Sequence, residues 1–307
     1  MSNSTLIIPV RLPPEHGFFI SKEVPPPQTL FGFPARYRIE NGYPYLEIQS
    51  VPADSLADVL ERVRNCLKWA AVRLDMGMDT PQGPLQHAKG EGFDGQSATA
   101  YPCDLQPNII RVKFQHRNEE PVNRLFAALK EGASKTKLAS SGAERSLRTA
   151  AEFFTATDFE VTENSKYLML CTVLEVLADP KARPTLCIYL VEELIENIKK
   201  AQKIAKQEAD AETQEDLQGL LASIVHWKKE SITSSIRKLA RKTAQTLGDS
   251  DAEQRAKRAS ELYTKRNGLV HRGESVTATE VNELRTLVRE ALAVEAGCDH
   301  RIRDRFP

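Results

Sequence analysis

Near the C-terminus, Arg266, Asn267 and His271 fall within one short run, RNGLVH. An imidazole ordinarily titrates near neutral pH and can take a proton from a hydroxyl and return it. A guanidinium can hold a phosphate while charge builds on its oxygens. Together these groups suit cleavage of RNA through the ribose 2′-hydroxyl. The polar residues 250–266 read as a helix, and Asn267-Gly268 reads as its end, because a glycine after the last turn takes the left-handed conformation. On that reading Arg266 lies in the final turn and His271 just beyond it. The two converge across a tight turn pinned by Leu269 and Val270, with the next helix starting near Thr277.

Three further residues could assist. Glu175 is the only charged side chain in residues 167–178, an otherwise apolar helical run. A lone carboxylate in such surroundings is costly unless paired: Glu175 pairs with Arg266 or otherwise holds the active loop in place, or else it reaches solvent or makes a structural salt bridge. Tyr263 lies one turn before Arg266 and reads as a core aromatic rather than a stacking platform for bases. Arg272 either adds phosphate affinity or is simply solvated. Elsewhere His16, His87 and His116 lack partnered carboxylates or cysteines and read as structurally ordinary. The five cysteines (Cys66, Cys103, Cys171, Cys187 and Cys298) are scattered, with no metal-ligand spacing. They read as reduced thiols of a cytoplasmic protein, with no metal or cofactor expected.

With 41% hydrophobic and 27% charged residues, the 307-residue chain has the composition of a globular protein and room for two cores. No apolar run approaches membrane-spanning length, and the N-terminus lacks the basic and apolar regions of a secretory signal. The formal net charge is zero. Residues 225–272 nevertheless hold twelve Lys and Arg against five Asp and Glu, while residues 192–216 hold many of the compensating acids. That asymmetry suits a basic face; it equally suits solvated helix surfaces.

Residues 1–130 read as a small α+β domain. Residues 35–40 and 45–49 alternate around Asn41-Gly42, a strong hairpin signal, and residues 6–10 and 109–114 are further strand candidates. Leu56, Val59, Leu60, Val63, Leu67, Ala70 and Leu74 repeat at helical spacing, and residues 121–129 predict a shorter helix. The segments rich in proline and glycine, 13–27 and 78–107, read as loops. Residues 131–142 read as a linker. From 143 to 307 no strand is expected and amphipathic helices follow one another, with Leu190, Val191, Leu194, Ile195 and Ile198 inward in the third. The last two helices carry capping-box signatures at Ser250/Glu253 and Thr277/Glu280. The chain is thus expected to be mostly helical overall.

The run LYTKRNGLVHRGE (residues 262–274) resembles the signature of HEPN domains, and most resembles their ApeA-like branch. The glutamate-bearing run KYLMLCTVLEVLA (166–178) is a second match, and SIVHWKKESITSSIRKLARK (223–242) a looser third; together they cover residues 143–292. The resemblance implies an all-α HEPN bundle and a metal-independent endoribonuclease of antiviral or stress defence. It also implies a homodimer in which two motif copies face each other across one cleft. Arg266 would polarise the scissile phosphate, His271 would act in acid–base catalysis, and Asn267 would orient the phosphate. Cleavage would leave a 2′,3′-cyclic phosphate and a 5′-hydroxyl. In HEPN toxins silenced by modification, a tyrosine follows the histidine by two residues; here that position is Gly273. The N-terminal domain would then sense a trigger or a regulatory protein. Two other readings stand beside this one: a non-catalytic HEPN module binding nucleotide, RNA or a protein, and a plain dimerising scaffold.

Overall fold

The computed structural model describes residues 3–10, 28–40, 43–75, 78, 80, 84–88, 98–102, 120–135, 145–208 and 210–298. The strand candidate at 109–114 lies outside them. The N-terminal part forms a six-stranded sheet from β1 (Asn3–Pro9), β2 (Gln28–Leu30), β3 (Phe33–Glu40), β4 (Tyr43–Pro52), β5 (Gln86–His87) and β6 (Thr99–Pro102). The strand order is β2-β3-β4-β1-β6-β5, antiparallel except for β5 beside β6. The hairpin forms as its alternation predicts, with Tyr37 opposite Leu46 and Glu40 opposite Tyr43. The loop expected over 78–107 contains β5 and β6, strands too short for an alternating pattern to be seen.

Helices α1 (Leu56–Leu74) and α2 (Glu120–Lys135) cover one face of the sheet. Leu6, Ile8, Leu46 and Ile48 meet Val59, Val63 and Leu67 of α1 and Phe126 and Leu129 of α2 in one core. The second helix continues to Lys135, five residues into the segment expected to be a linker. Its Gly132 packs against the Trp69 side chain, which an added Cβ would meet at 3.0 Å.

The rest of the described chain is helical: α3 (Arg145–Ala156), α4 (Glu163–Leu177), α5 (Thr185–Gln207), α6 (Ala211–Val225), α7 (Ile232–Thr246), α8 (Ala252–Arg272) and α9 (Ala278–Glu295). Helices α3, α4, α7, α8 and α9 share a second core, and Trp69 and Val72 of α1 belong to it. Thr277 and Glu280 form the expected capping box at the start of α9. At the start of α8 the cap is Asp251, whose carboxylate accepts from the Gln254 amide, rather than Ser250.

Helices α5 and α6 pack on each other around Val191, Ile195, Ile198 and Ile224, apart from the main core. The pair leaves and rejoins the bundle through a two-stranded neck in which Ala182 bridges Lys229. The expectation for α5 is corrected here: Leu190 is 56% exposed and Leu194 39%. A single partner helix covers only one stripe, so the wider apolar face stays open.

A largely buried ionic cluster joins the two parts of the chain. Asp75 caps α1 in the left-handed conformation (φ 56°). Its carboxylate pairs with Arg285 Nε at 2.7 Å and Arg289 at 2.9 Å, and Arg285 also grips Asp158. Burial works against the Arg285 charge, but Asp158 and Asp75 outweigh it and raise its pKa. Removing one partner of such a cluster leaves a charge uncompensated. Asp75→Asn keeps the left-handed preference and should cost about 2–3 kcal/mol in urea unfolding. A loss below about 0.5 kcal/mol would mean that the cluster is solvated and does not hold the two parts together.

Candidate active site

Helix α8 presents Ala256, Ala259, Leu262 and Tyr263 to the core, which leaves its polar side chains outward. Helix α4 grips it from below. The Tyr167 hydroxyl donates to the Leu262 carbonyl at 2.5 Å. Two turns on, Glu175 Oε1 accepts from the Tyr263 hydroxyl at 2.8 Å and lies 3.1 Å from Arg266 Nε. The expected Glu175–Arg266 pair is therefore present. The Glu175 side chain is 28% exposed rather than buried, so solvent shares in stabilising its charge.

These contacts set the chemistry of their neighbours. Tyr263 is a core aromatic, as expected, and its pKa is raised first by burial and then by the hydrogen bond to the Glu175 carboxylate. It stays a phenol and a donor. Cys171, one turn before Glu175, is pushed up to about 12 by burial and then by the Glu175 charge, so it is no nucleophile at neutral pH. Tyr167 is the positioning residue that sequence reasoning missed. It reads as one more apolar-face aromatic, and only the structure reveals that its hydroxyl reaches the backbone of another helix.

The end of α8 differs from expectation. The helix runs through Asn267-Gly268 and stops at Gly273, the residue in the left-handed conformation (φ 67°). The Gly268 carbonyl accepts from the amides of Gly273 and Glu274. The missing Cβ of Gly268 makes room for the Glu274 side chain, which folds back over it and binds Arg272 Nε at 2.6 Å. That pair holds the Glu274 carboxyl below its usual range. The helix therefore ends at Gly273, five residues beyond the glycine that the sequence pattern predicts.

His271 consequently sits inside the last turn of α8, exposed, and its side chain makes no hydrogen bond or ion pair with the described residues. Asn267 is exposed too, and four residues apart the two share one helical strip. Arg266 is rotated by about 100° from Asn267 and about 140° from His271. Within one chain, then, Arg266 faces α4 while His271 faces solvent, and the convergence expected across a turn does not occur. Leu269 is half-buried, but Val270 is exposed and pins nothing.

The local excess of positive charge also changes meaning. Of the twelve cations in residues 225–272, ten form ion pairs; Lys229 and Lys257 are the exceptions among the described residues. A broad basic face is therefore largely neutralised, though exposed pairs are weak and open readily to a competing phosphate. Among the described residues, no group of three or more His, Cys, Asp or Glu side chains is placed to hold a metal ion, and no helix is long and apolar enough to cross a membrane. Two open cavities of about 580 and 590 Å³ lie away from the motif, one at the start of α8 and one between α1 and α3. The chain matches no family model, no curated protein and no solved structure.

The helix end offers a direct check. Gly273→Ala places a Cβ at positive φ and should cost about 1 kcal/mol. Gly268→Ala gains about 1 kcal/mol of helix propensity but displaces an exposed ion pair, so the net change should stay within about 0.5 kcal/mol. Thermal unfolding of the two variants distinguishes the alternatives. The opposite ranking would place the helix end at Asn267-Gly268.

Proposed function

We propose that this chain is a metal-independent endoribonuclease of HEPN type, acting in the cytoplasm in antiviral or stress defence. One observation carries the reading. Arg266 is oriented by Glu175, itself held by the Tyr263 hydroxyl, on the same helix end where Asn267 and His271 are open to solvent. A phosphate-binding guanidinium benefits from being held in place, and the open Asn267 and His271 beside it are what a purely structural ion pair would not call for.

The divergence of Arg266 and His271 within one chain argues for a site built from two copies. In such a cleft the His271 imidazole of one copy takes the proton of the ribose 2′-hydroxyl, whose oxygen attacks phosphorus. An imidazole of the second copy returns a proton to the departing 5′-oxygen. Arg266 neutralises the charge on the phosphorane oxygens, and the Asn267 amide donates to one of them. The products are a 2′,3′-cyclic phosphate and a 5′-hydroxyl. The exposed apolar strip of α5, with Leu186, Leu190 and Leu194, supports association with a second copy.

The second reading is a non-catalytic HEPN module, and the ion-paired state of the basic residues favours it. Incubating the full chain with single-stranded RNA in EDTA separates the two. Cleavage is expected, falling at least about 100-fold in His271→Ala and about tenfold in Glu175→Gln, where Arg266 loses its counter-charge. Equal cleavage by wild type and His271→Ala would assign the activity elsewhere and leave the binding module as the better account.

A further inference from the structure

Where the α5–α6 pair joins the bundle, an indole ring stands in the open. Trp227 is 52% exposed, in the one-turn helix His226–Lys228 that directly follows α6. The other tryptophan of the chain, Trp69, is fully buried. Tryptophan is highly buried on average, and its ring favours sites with one apolar and one wet side. An indole half in water at the root of a protruding arm therefore suggests a partner that stacks on it.

Charge identifies the kind of partner. The acids of this root are already paired, Asp179 with Lys181, Glu230 with Lys238 and Glu192 with Lys228. Arg183 and Lys229 are left over, both exposed and with no carboxylate partner among the described residues. Arg183 is nonetheless held in place. Its Nε donates to the Lys229 carbonyl at 3.0 Å, and its amide donates to the Lys228 carbonyl at 2.9 Å. The Glu230 amide, donating to the Lys181 carbonyl at 3.0 Å, closes the neck. A fixed guanidinium with spare donors suits a phosphate, and an exposed ring beside two cations suits a base. Leu190 and Leu194 carry the aliphatic strip of α5 up the arm, away from this root.

The root also adjoins the candidate site. Glu175 lies in the last turn of α4, and Lys181 of the neck follows six residues later, at most about 22 Å of chain. On the other strand, Lys229 precedes α7 by three residues. Helices α7 and α8 run antiparallel side by side, Arg241 of one pairing with Glu253 of the other. Their equal rise per residue brings the start of α7 level with the last two turns of α8, which carry Arg266.

We propose that this neck holds single-stranded RNA on its way to Arg266: Trp227 stacks on one unpaired base, and Arg183 and Lys229 bind the phosphates beside it. The proposal rests on the nuclease reading and adds to it the form of RNA received and the residues that position it.

A short fluorescent single strand of 2′-O-methyl RNA tests it, because an oligonucleotide without free 2′-hydroxyls can bind but cannot be cut by internal attack. Anisotropy titration of the full chain in EDTA should show saturable binding, with tryptophan emission quenched as a base stacks on Trp227. Trp227→Ala should weaken binding about tenfold and abolish the quenching, while Trp227→Phe should keep most of the affinity. Lys229→Gln, an exposed change, should lower the slope of log affinity against log salt by about 0.7, the share of one phosphate. A duplex of the same sequence offers no free base and should bind more weakly. The quenching and the Lys229 variant decide the matter even if Trp227→Ala fails to fold. Saturable, Trp227-dependent binding without cutting of ordinary RNA would support this surface and contradict only the nuclease reading. No saturable binding by about 100 µM protein would overturn the proposal. So would duplex binding as tight as the single strand, or a salt slope unchanged in Lys229→Gln. Affinity unchanged in Trp227→Ala would overturn it too, and would leave the exposed ring to a protein partner.

Discussion

Helix α1 is required by both cores. Its Val59, Val63 and Leu67 close the sheet-side cluster, while Trp69 and Val72 are built into the helical one. Fourteen of its nineteen residues are buried, which leaves little room for a polar face. Trp69 is fully buried, and truncating such a ring typically costs about 3–5 kcal/mol. The end of the same helix is locked by Asp75 to Arg285 and Arg289 of α9. The two parts of the chain therefore form their cores around a shared element, and what strains one is felt by the other.

From that frame the site follows through α9, α4 and α8. Helix α9 contacts α1, α3 and α4, and α4 in turn fixes α8 through Tyr167 and Glu175. Asn164, at the start of α4, accepts from the Val276 amide and so anchors the segment after the α8 end. The candidate site is thus rigid on the Arg266 side and open on the His271 side. Such an arrangement suits a half-site awaiting a partner, because the held guanidinium loses little freedom when phosphate arrives.

Much of the frame was legible in the sequence where one signal acts alone. The paired strands on either side of residues 41–42, the α1 periodicity and the Thr277 capping box depend on local chemistry and appear as the sequence predicts. The Glu175–Arg266 pair was legible only in part: a single charge in an apolar helix calls for a partner or for solvent, and Glu175 has both, pairing with Arg266 while staying 28% exposed. Competing signals were misread. Two glycines, Gly268 and Gly273, could each end α8, and the choice depends on Glu274 folding back over the first, a contact the sequence does not display. Leu190 and Leu194 look like core positions because periodicity reports an apolar face but not whether a neighbour covers it. The double role of α1 was hidden likewise: Trp69 and Val72 fall outside its main stripe, and only the packing of the helical core accounts for them. The charge count could not separate a basic face from paired helix surfaces, because it leaves out acids beyond the counted residues, such as Glu192, Glu280 and Glu295, that pair with cations inside them.

The chemistry of the cut ends tests the central claim most directly. With RNA cleaved by the full chain in EDTA, mass spectrometry of the fragments should show a 2′,3′-cyclic phosphate on one side and a 5′-hydroxyl on the other, as internal attack by the ribose hydroxyl requires. Fragments bearing a 5′-phosphate and a free 3′-hydroxyl would mean that water, not the ribose, attacks phosphorus, and would contradict the roles given to Arg266 and His271.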